Sequence, residues 1–281
     1  MLADCAMGGM VNIVTKTASY APHTEFSPST TQWGTKKGTL GFSSGQFGNG
    51  WSVNANISYV NGGGYVECTD IKTFSYMLSV SKVLNDANTL VFTALGSPEK
   101  HDQRNTELSK AEVDKYGRDY SKNWGYYNGK EYSIGHNHYI KPYFTLQHLM
   151  NGERLQMKNS LYLAIADGGG SSTYNNYKSG VASIIKHQTE DGHIDFDAIV
   201  AENQKDGVSK NVMIDYLSGH TQFGAITSAD YRLNDLWTAS AGVQYQYYAT
   251  WSKMKILDML GGTSFTDPAT NASLAVGDYV G

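Results

Sequence analysis

Along most of the chain, apolar and polar side chains alternate one for one. In WSVNANISYVN, Trp51, Val53, Ala55, Ile57 and Tyr59 fall on one face, and Ser52, Asn54, Asn56 and Ser58 on the other. LWTASAGVQYQYYATW extends the pattern, with Trp237, Ala239, Ala241, Val243, Tyr245, Tyr247, Ala249 and Trp251 opposing Thr238, Ser240, Gly242, Gln244, Gln246, Tyr248 and Thr250. LQMKNSLYLAIAD sets Leu155, Met157, Leu161, Leu163 and Ile165 against Gln156, Lys158 and Ser160. Successive strand side chains point to opposite sides, so each segment has one oily and one wet face. The pattern predicts strands over Thr24–Gln32, Lys36–Phe47, Trp51–Asn61, Lys72–Leu84, Thr89–Ser97, His138–Met150, Arg154–Ala166, Thr221–Leu233 and Leu236–Trp251. Globular strands average about five or six residues. Most of these are longer, and a tilted strand needs roughly nine to eleven to cross a bilayer.

The connections sort by length. Short turns fall at Gly48–Gly50, Asn85–Asn88, Asn151–Glu153 and Asn234–Asp235. Long connections alternate with them: NGGGYVECTD, a charged stretch through LSKAEVDKYGRDYSKNWGYYNGKEYSIG, and Gly168 to Gly219. In an up-and-down meander all turns of one parity lie at one end, so one rim is trimmed and the other elaborate. Trp51 with Tyr59, and Trp237 with Trp251, bracket apolar rows as interfacial aromatics do. The expected fold is therefore all-β: a transmembrane antiparallel β-barrel with long extracellular loops. A large soluble β-sandwich with aromatic core rows is the competing arrangement. Inside the loops, Ser109 and Glu112 match a capping box opening a helix toward Tyr116. Ile194 to Lys205 also reads as helical, with Ile194, Ile199 and Val200 on one side.

Composition changes this picture little. With 30 Gly and 20 Tyr but only 5 Pro and 17% charged residues, β-structure with glycine turns is favoured over helical bundles. A formal net charge of −4 leaves no basic stripe for nucleic acid. The mean hydropathy of −0.40 looks soluble, but an alternating barrel averages to polar. No apolar run is long enough for a membrane helix. Cys5 and Cys68 form neither a disulfide framework nor a zinc pattern, and LADC lacks the charged and apolar run of a lipoprotein signal.

No GxSxG, HExxH, phosphate loop or paired CxxC occurs, so no catalytic residue, metal site or cofactor is expected. GGGSS, from Gly168 to Ser172, lacks the lysine of a phosphate loop and reads as loop. His136 and His138 lie two apart on one side of an extended segment, either solvated near the extracellular rim or helping to hold a metal, for which the sequence shows no third ligand. Trp124, Tyr126 and Tyr127 sit in a long loop, where aromatics either contact a ligand or pack the loop on itself. These five residues are the candidate ligand contacts. The charges from Glu107 to Lys122 read as a solvated face.

CAMGGMVNIVTKT resembles the end of the plug domain of TonB-dependent outer-membrane receptors. Gly8, Gly9, Asn12, Ile13, Thr15 and Lys16 match that pattern. NGGGYVECTDIKTFSYMLSVSKVLN, LVFTALGSPEKHDQRN, LSKAEVDKYGRDYSKNWGYYNG and ILDMLGGTSF resemble members of the Bacteroidetes branch. The resemblance implies a plug remnant and linker over 1–20, then the first part of a receptor barrel over 21–281. Such barrels have about twenty-two strands, of which about nine are expected here. It also implies a chain cut at both ends, without the TonB box, from a receptor for energy-coupled uptake of a scarce nutrient, an iron complex such as a siderophore or haem. The implied partners are outer-membrane lipid, the TonB complex acting on the whole receptor, and a small extracellular ligand. A passive porin or structural outer-membrane barrel is the alternative, though a porin has no use for GGMVNIVTK.

Overall fold

The computed structural model describes residues 21–175, 178–184 and 186–281. The candidate plug-end stretch Gly8–Lys16, and with it the unit 1–20, lies outside them. Strands β1 (His23–Thr30), β2 (Lys36–Phe47), β3 (Trp51–Gly62), β4 (Ile71–Asn85) and β5 (Asn88–Gly96) form an antiparallel meander. Next come β6 (Glu99–Asp102), helix α1 (Lys110–Tyr116), β7 (Trp124–Tyr127), β8 (Lys130–Ser133) and β9 (His136–Ile140). The wall resumes with β10 (Tyr143–Asn151) and β11 (Leu155–Tyr174), then helix α2 (Phe196–Asp206), β12 (Val212–Arg232) and β13 (Thr238–Asp258). The sheet order β1-β2-β3-β4-β5-β10-β11-β12-β13 contains all nine expected wall strands in sequence order.

Burial runs opposite to that of a soluble sheet. Across the wall, Ala55, Leu78, Ala94, Phe144, Leu163, Phe223 and Tyr247 fall in one register row and share the outer face. On the other face Ser52, Ser79 and Ser81 are buried, and the Ser52 and Ser81 hydroxyls bond at 2.6 Å. Leu161 on the outer face is 56% exposed and Val243 is 70% exposed. Trp237 and Trp251 are also exposed, and no second layer of sheet covers their row among the described residues. Water would penalise such a surface by roughly 25 cal/mol per Å² of apolar area. Hydrocarbon does not, which is why membrane barrels carry it. The sandwich alternative falls with this observation.

Inner-face packing fits large rings over missing side chains. A Cβ on Gly224 would lie 2.5 Å from the Tyr162 hydroxyl, because the Tyr162 ring reaches across it to donate to Gln246 Oε1 at 3.1 Å. An aromatic over a strand glycine restores the contact that the glycine lacks and pins the register.

Three expectations change. The strand expected over His138–Met150 is two strands, broken at Lys141–Pro142: β9 pairs with β6 and β11, and β10 with β5 and β11. Proline cannot donate to a ladder, so the pairing switches there. Gly168 to Gly219 is not all loop. β11 and β12 stay in register from Leu155↔Tyr231 to Tyr174↔Val212, far beyond the alternating stretch. The GGGSS segment shows no side-chain pattern, yet its backbone pairs with β12 throughout, and its glycines also with β9. Finally, turn length does not alternate strictly: the tight turn Thr31–Thr35 joins β1 and β2 at the rim that otherwise carries the long loops.

Candidate functional site: the loop layer

The two apolar core clusters of this molecule lie at the loop rim, in the long connections and in the strand ends that extend into them. Ile134, Val181, Ile184, Ile194, Phe196, Ile199, Met213 and Leu260 form one buried cluster. Val212, Ile214, Ile256, Met259, Phe265 and Val280 form another. Each fully buried side chain of this kind contributes about 1.5–3 kcal/mol, so the loops at this rim make a folded layer rather than loose connections.

Local sequence explains its pieces. Ser109 caps α1 as expected: its hydroxyl accepts from Glu112 N–H, and Glu112 reciprocates on the Ser109 N–H at 2.7 Å. Lys122 closes the far side of the same carboxylate at 2.7 Å, and the bonds from Lys122 and Ser109 hold the Glu112 carboxyl down at about 2. Asp195 caps α2 through Ala198 N–H, and Gly207 ends it in the left-handed conformation. That helix buries Phe196 and Ile199. Between the helices, β7 and β8 make a hairpin whose turn is Asn128–Gly129, both at positive φ. Asn-Gly is the pair preferred in such tight turns, and it stands at the end of NWGYYNG.

A polar node ties three loops together. Glu67, in the β3–β4 connection, accepts through one oxygen from Ser121 N–H at 3.1 Å and Trp124 Nε1 at 3.2 Å. The same oxygen lies 3.0 Å from His193 Nε2, in the β11–β12 connection. His193 Nδ1 meets Asp191 at 3.2 Å, and its ring lies 4.3 Å from that of Trp124.

The five candidate ligand contacts separate. Trp124 is only 8% exposed, and its ring packs within the node, tilted 46° to that of His193. Tyr127 is half-buried, donates to both Asp258 oxygens at 3.2 Å, and is pushed up to about 12 by burial and that carboxylate. Tyr126 remains 59% exposed on the hairpin. His136 and His138 do not converge on a common centre: His136 Nδ1 pairs with Asp102 and His138 Nε2 with Asp215, each at 2.8 Å. Among the described residues no group of three or more His, Cys, Asp or Glu side chains is placed to hold a metal.

The Asp102 bond raises the His136 pKa above its ordinary 6.5, and burial only partly opposes it. A raised folded-state pKa adds stability that is complete below the unfolded value and is lost as pH rises through the folded one. Amide protection along β6 and β9 is therefore expected to fall as pH rises above 6.5, with a flatter profile in Asp102→Asn. Exchange profiles that superimpose for the two proteins would contradict this coupling.

Sequence reading missed an open cleft of about 710 Å³ beside α1, lined by Tyr65, Arg104, Asn105, Thr106, Glu107, Leu108, Val113 and Arg118. Arg104 is anchored by donating to the Arg118 and Tyr120 carbonyls at 2.9 and 2.7 Å. The two arginines are separated in the chain, and α1 with its flanking turns brings them to one wall. No local motif announces such a pairing.

No family model and no curated protein matches this chain. Among solved structures it is similar to the crystal structure of the ferric citrate transporter FecA in the unliganded form. They share 12% identity and a TM-score of 0.56, over 90% of this chain and 31% of that one. The fold is that of part of an outer-membrane β-barrel wall. The RagAB peptide transporter also matches, at 10% identity and a TM-score of 0.46, over 80% of this chain and 30% of that one. At these identities the likeness concerns fold alone, and the chain spans under a third of either transporter chain.

Proposed function

We propose that this chain is wall and loop layer of a TonB-dependent outer-membrane receptor that takes up a scarce nutrient, an iron complex such as a siderophore or haem. One observation carries the reading: a wall apolar outside and polar inside bears, at one rim only, loops with a core of their own. A passive pore needs no such layer, whereas a receptor must present a shaped surface to its ligand before transport. The resemblance of Gly8–Lys16 to a plug end supports coupling to TonB through the whole receptor. The loop layer then faces the exterior, with Tyr126 and the Arg104–Arg118 cleft as the exposed ligand-facing groups. His136, His138, Trp124 and Tyr127 hold that surface in shape. No covalent chemistry is required, so the protein is not an enzyme.

Uptake of labelled iron complexes by cells with and without the gene tests the reading. Uptake is expected to need both the gene and the proton-motive force. Gene-dependent uptake that persists under an uncoupler would instead identify a passive porin.

A further inference from the structure

Within NGGGYVECTD, the connection from β3 to β4 folds into an arch that belongs to neither the wall nor the apolar loop clusters. Its neck is closed. A Cβ on Gly64 would lie 2.9 Å from the Thr69 hydroxyl oxygen, and one on Gly63 3.4 Å from an Asp70 carboxylate oxygen. The Thr35 hydroxyl donates to Gly63 O at 2.5 Å, and the Asp102 N–H donates to Asp70 O at 2.8 Å. Both feet are thus pinned, and residues 64–69 form a small Ω-type loop between them.

Between the feet, one residue ties the arch to the rest of the loop layer. Among the described residues, every hydrogen bond from 64–69 to another segment belongs to Glu67. Its N–H donates to Asp119 O at 2.9 Å, while its Oε2 accepts from Ser121 N–H and Trp124 Nε1 and meets His193 Nε2. The other bond in the arch, from the Thr69 hydroxyl to Val66 O, stays inside it. The groups that Glu67 gathers are joined to one another without it. Tyr120 donates to Gly192 O at 2.6 Å, and the Ile194 N–H donates to Trp124 O at 2.9 Å. The rest of the layer therefore keeps its own bonds if Glu67 is lost, whereas the arch loses its side-chain tether.

What the arch carries gives that tether its role. Tyr65, half exposed, lines the cleft together with Arg104 and Arg118. Glu67 lies two residues beyond Tyr65 and grips Asp119 and Ser121, just after Arg118. Arg104 is held on the carbonyls of Arg118 and Tyr120 in the same segment. Glu67 thus sets where the Tyr65 ring stands relative to both guanidinium groups, although it does not line the cleft itself. We infer that Glu67 is a positioning residue, which seats the arch so that Tyr65 forms a fixed wall of the Arg104–Arg118 cleft. The inference rests on the receptor reading above, in which that cleft faces the ligand. A ligand then meets a ring that is already ordered, and less ordering entropy is lost on binding.

Cys68, the next residue on the arch, reports its seating. Burial first, then the carboxylates of Asp102, Glu131, Asp70 and Glu67, push its thiol up to about 12, and only the thiolate alkylates readily. The whole receptor containing this chain, in mild detergent, is treated with iodoacetamide, and peptide mass spectrometry separates Cys68 from Cys5. Glu67→Ala is expected to speed Cys68 alkylation about tenfold, with amide exchange in α2 unchanged. Glu67→Gln removes the same charge but keeps an acceptor oxygen, so its rate should stay within about twofold of the original. In cells, the half-saturating concentration for radiolabelled haem uptake should rise about tenfold in Glu67→Ala, at the same maximal rate, and return in Glu67→Gln. Equal alkylation in Glu67→Ala and the unaltered receptor, Glu67→Gln as fast as Glu67→Ala, or an unchanged half-saturating concentration overturns the inference. Faster exchange in α2 would show a folding role and overturn it too. Should Glu67→Ala not assemble, Trp124→Phe removes one donor and should speed alkylation about threefold; an unchanged rate overturns the inference. Haem uptake that ignores the gene would count against the iron-complex reading instead, and the alkylation comparison would still decide the role of Glu67.

Discussion

Leu161→Arg is expected to cost roughly 2–4 kcal/mol and to reduce assembly into the membrane. Leu161 sits between Leu146 and Ala225 in register, in the middle of the apolar band on β11. An arginine there would place its charge in hydrocarbon. Gln222→Arg, on the inner face opposite Ala164 and Tyr248, is expected to change stability by less than about 1 kcal/mol, because that face is polar. Heat-modifiable gel mobility and denaturant unfolding in lipid vesicles measure both. In a soluble sheet the ranking would invert, since a leucine already 56% exposed to water accepts arginine freely. A Leu161→Arg protein that assembles as well as Gln222→Arg would thus remove the membrane assignment.

The second large effect belongs to Asn203. This side chain is fully buried on α2, and its amide donates to the carbonyls of Asn211, Met259 and Leu260 at 2.8, 3.1 and 2.9 Å. Its oxygen accepts from Lys210 N–H at 2.8 Å and Asn211 N–H at 3.4 Å. One residue thereby joins α2, the start of β12 and the turn after β13. Asn203→Ala strands these groups without water, and among the described residues only the Met259 carbonyl keeps other partners, the Ser209 hydroxyl and the Gly262 N–H. Each orphaned group costs about 1–3 kcal/mol, so a loss of about 3–5 kcal/mol confined to the loop layer is expected. Limited proteolysis between Gly207 and Asn211 should accelerate while the wall keeps its protection. Asn203→Asp restores only the accepting half and should recover only part of the loss. Proteolysis of Asn203→Ala at the original rate would show that the side chain contributes nothing to holding the layer.

The wall was legible because each of its residues needs only local information. Trp51 to Tyr59 alternate whatever lies beside them, and the two faces meet different surroundings along the whole strand. The helices were legible for a related reason: Ser109 with Glu112, and the apolar positions of the 194–205 segment, act within a turn or two of the chain, although α2 begins only at Phe196 and Ile194 precedes its cap. Pro142 carried its own signal, a missing donor, although the alternation around it reads as one strand.

The candidate site was less legible. Trp124 and Tyr126 are two residues apart, and nothing local says that the first ring turns inward. That is decided by Glu67 and His193, which arrive from the flanking long connections and offer Trp124 a hydrogen-bond partner and a packing surface. Tyr127 is likewise claimed by Asp258, at the end of β13. Gly168–Gly170 show no strand pattern because their pairing energy lies in backbone groups, which carry no sequence identity.

Period-two alternation and the spacing of Asn/Gly turns thus determined, without coordinates, that this chain builds antiparallel wall strands with an oily and a wet face. Which face the surroundings keep dry, which loop aromatics remain free, and which groups converge on Glu67 were decided only by the tertiary structure. The reason is physical. Alternation is a property of neighbours along the backbone, whereas burial, hydrogen-bond pairing and charge clustering depend on groups that register and loop packing bring together from distant parts of the chain.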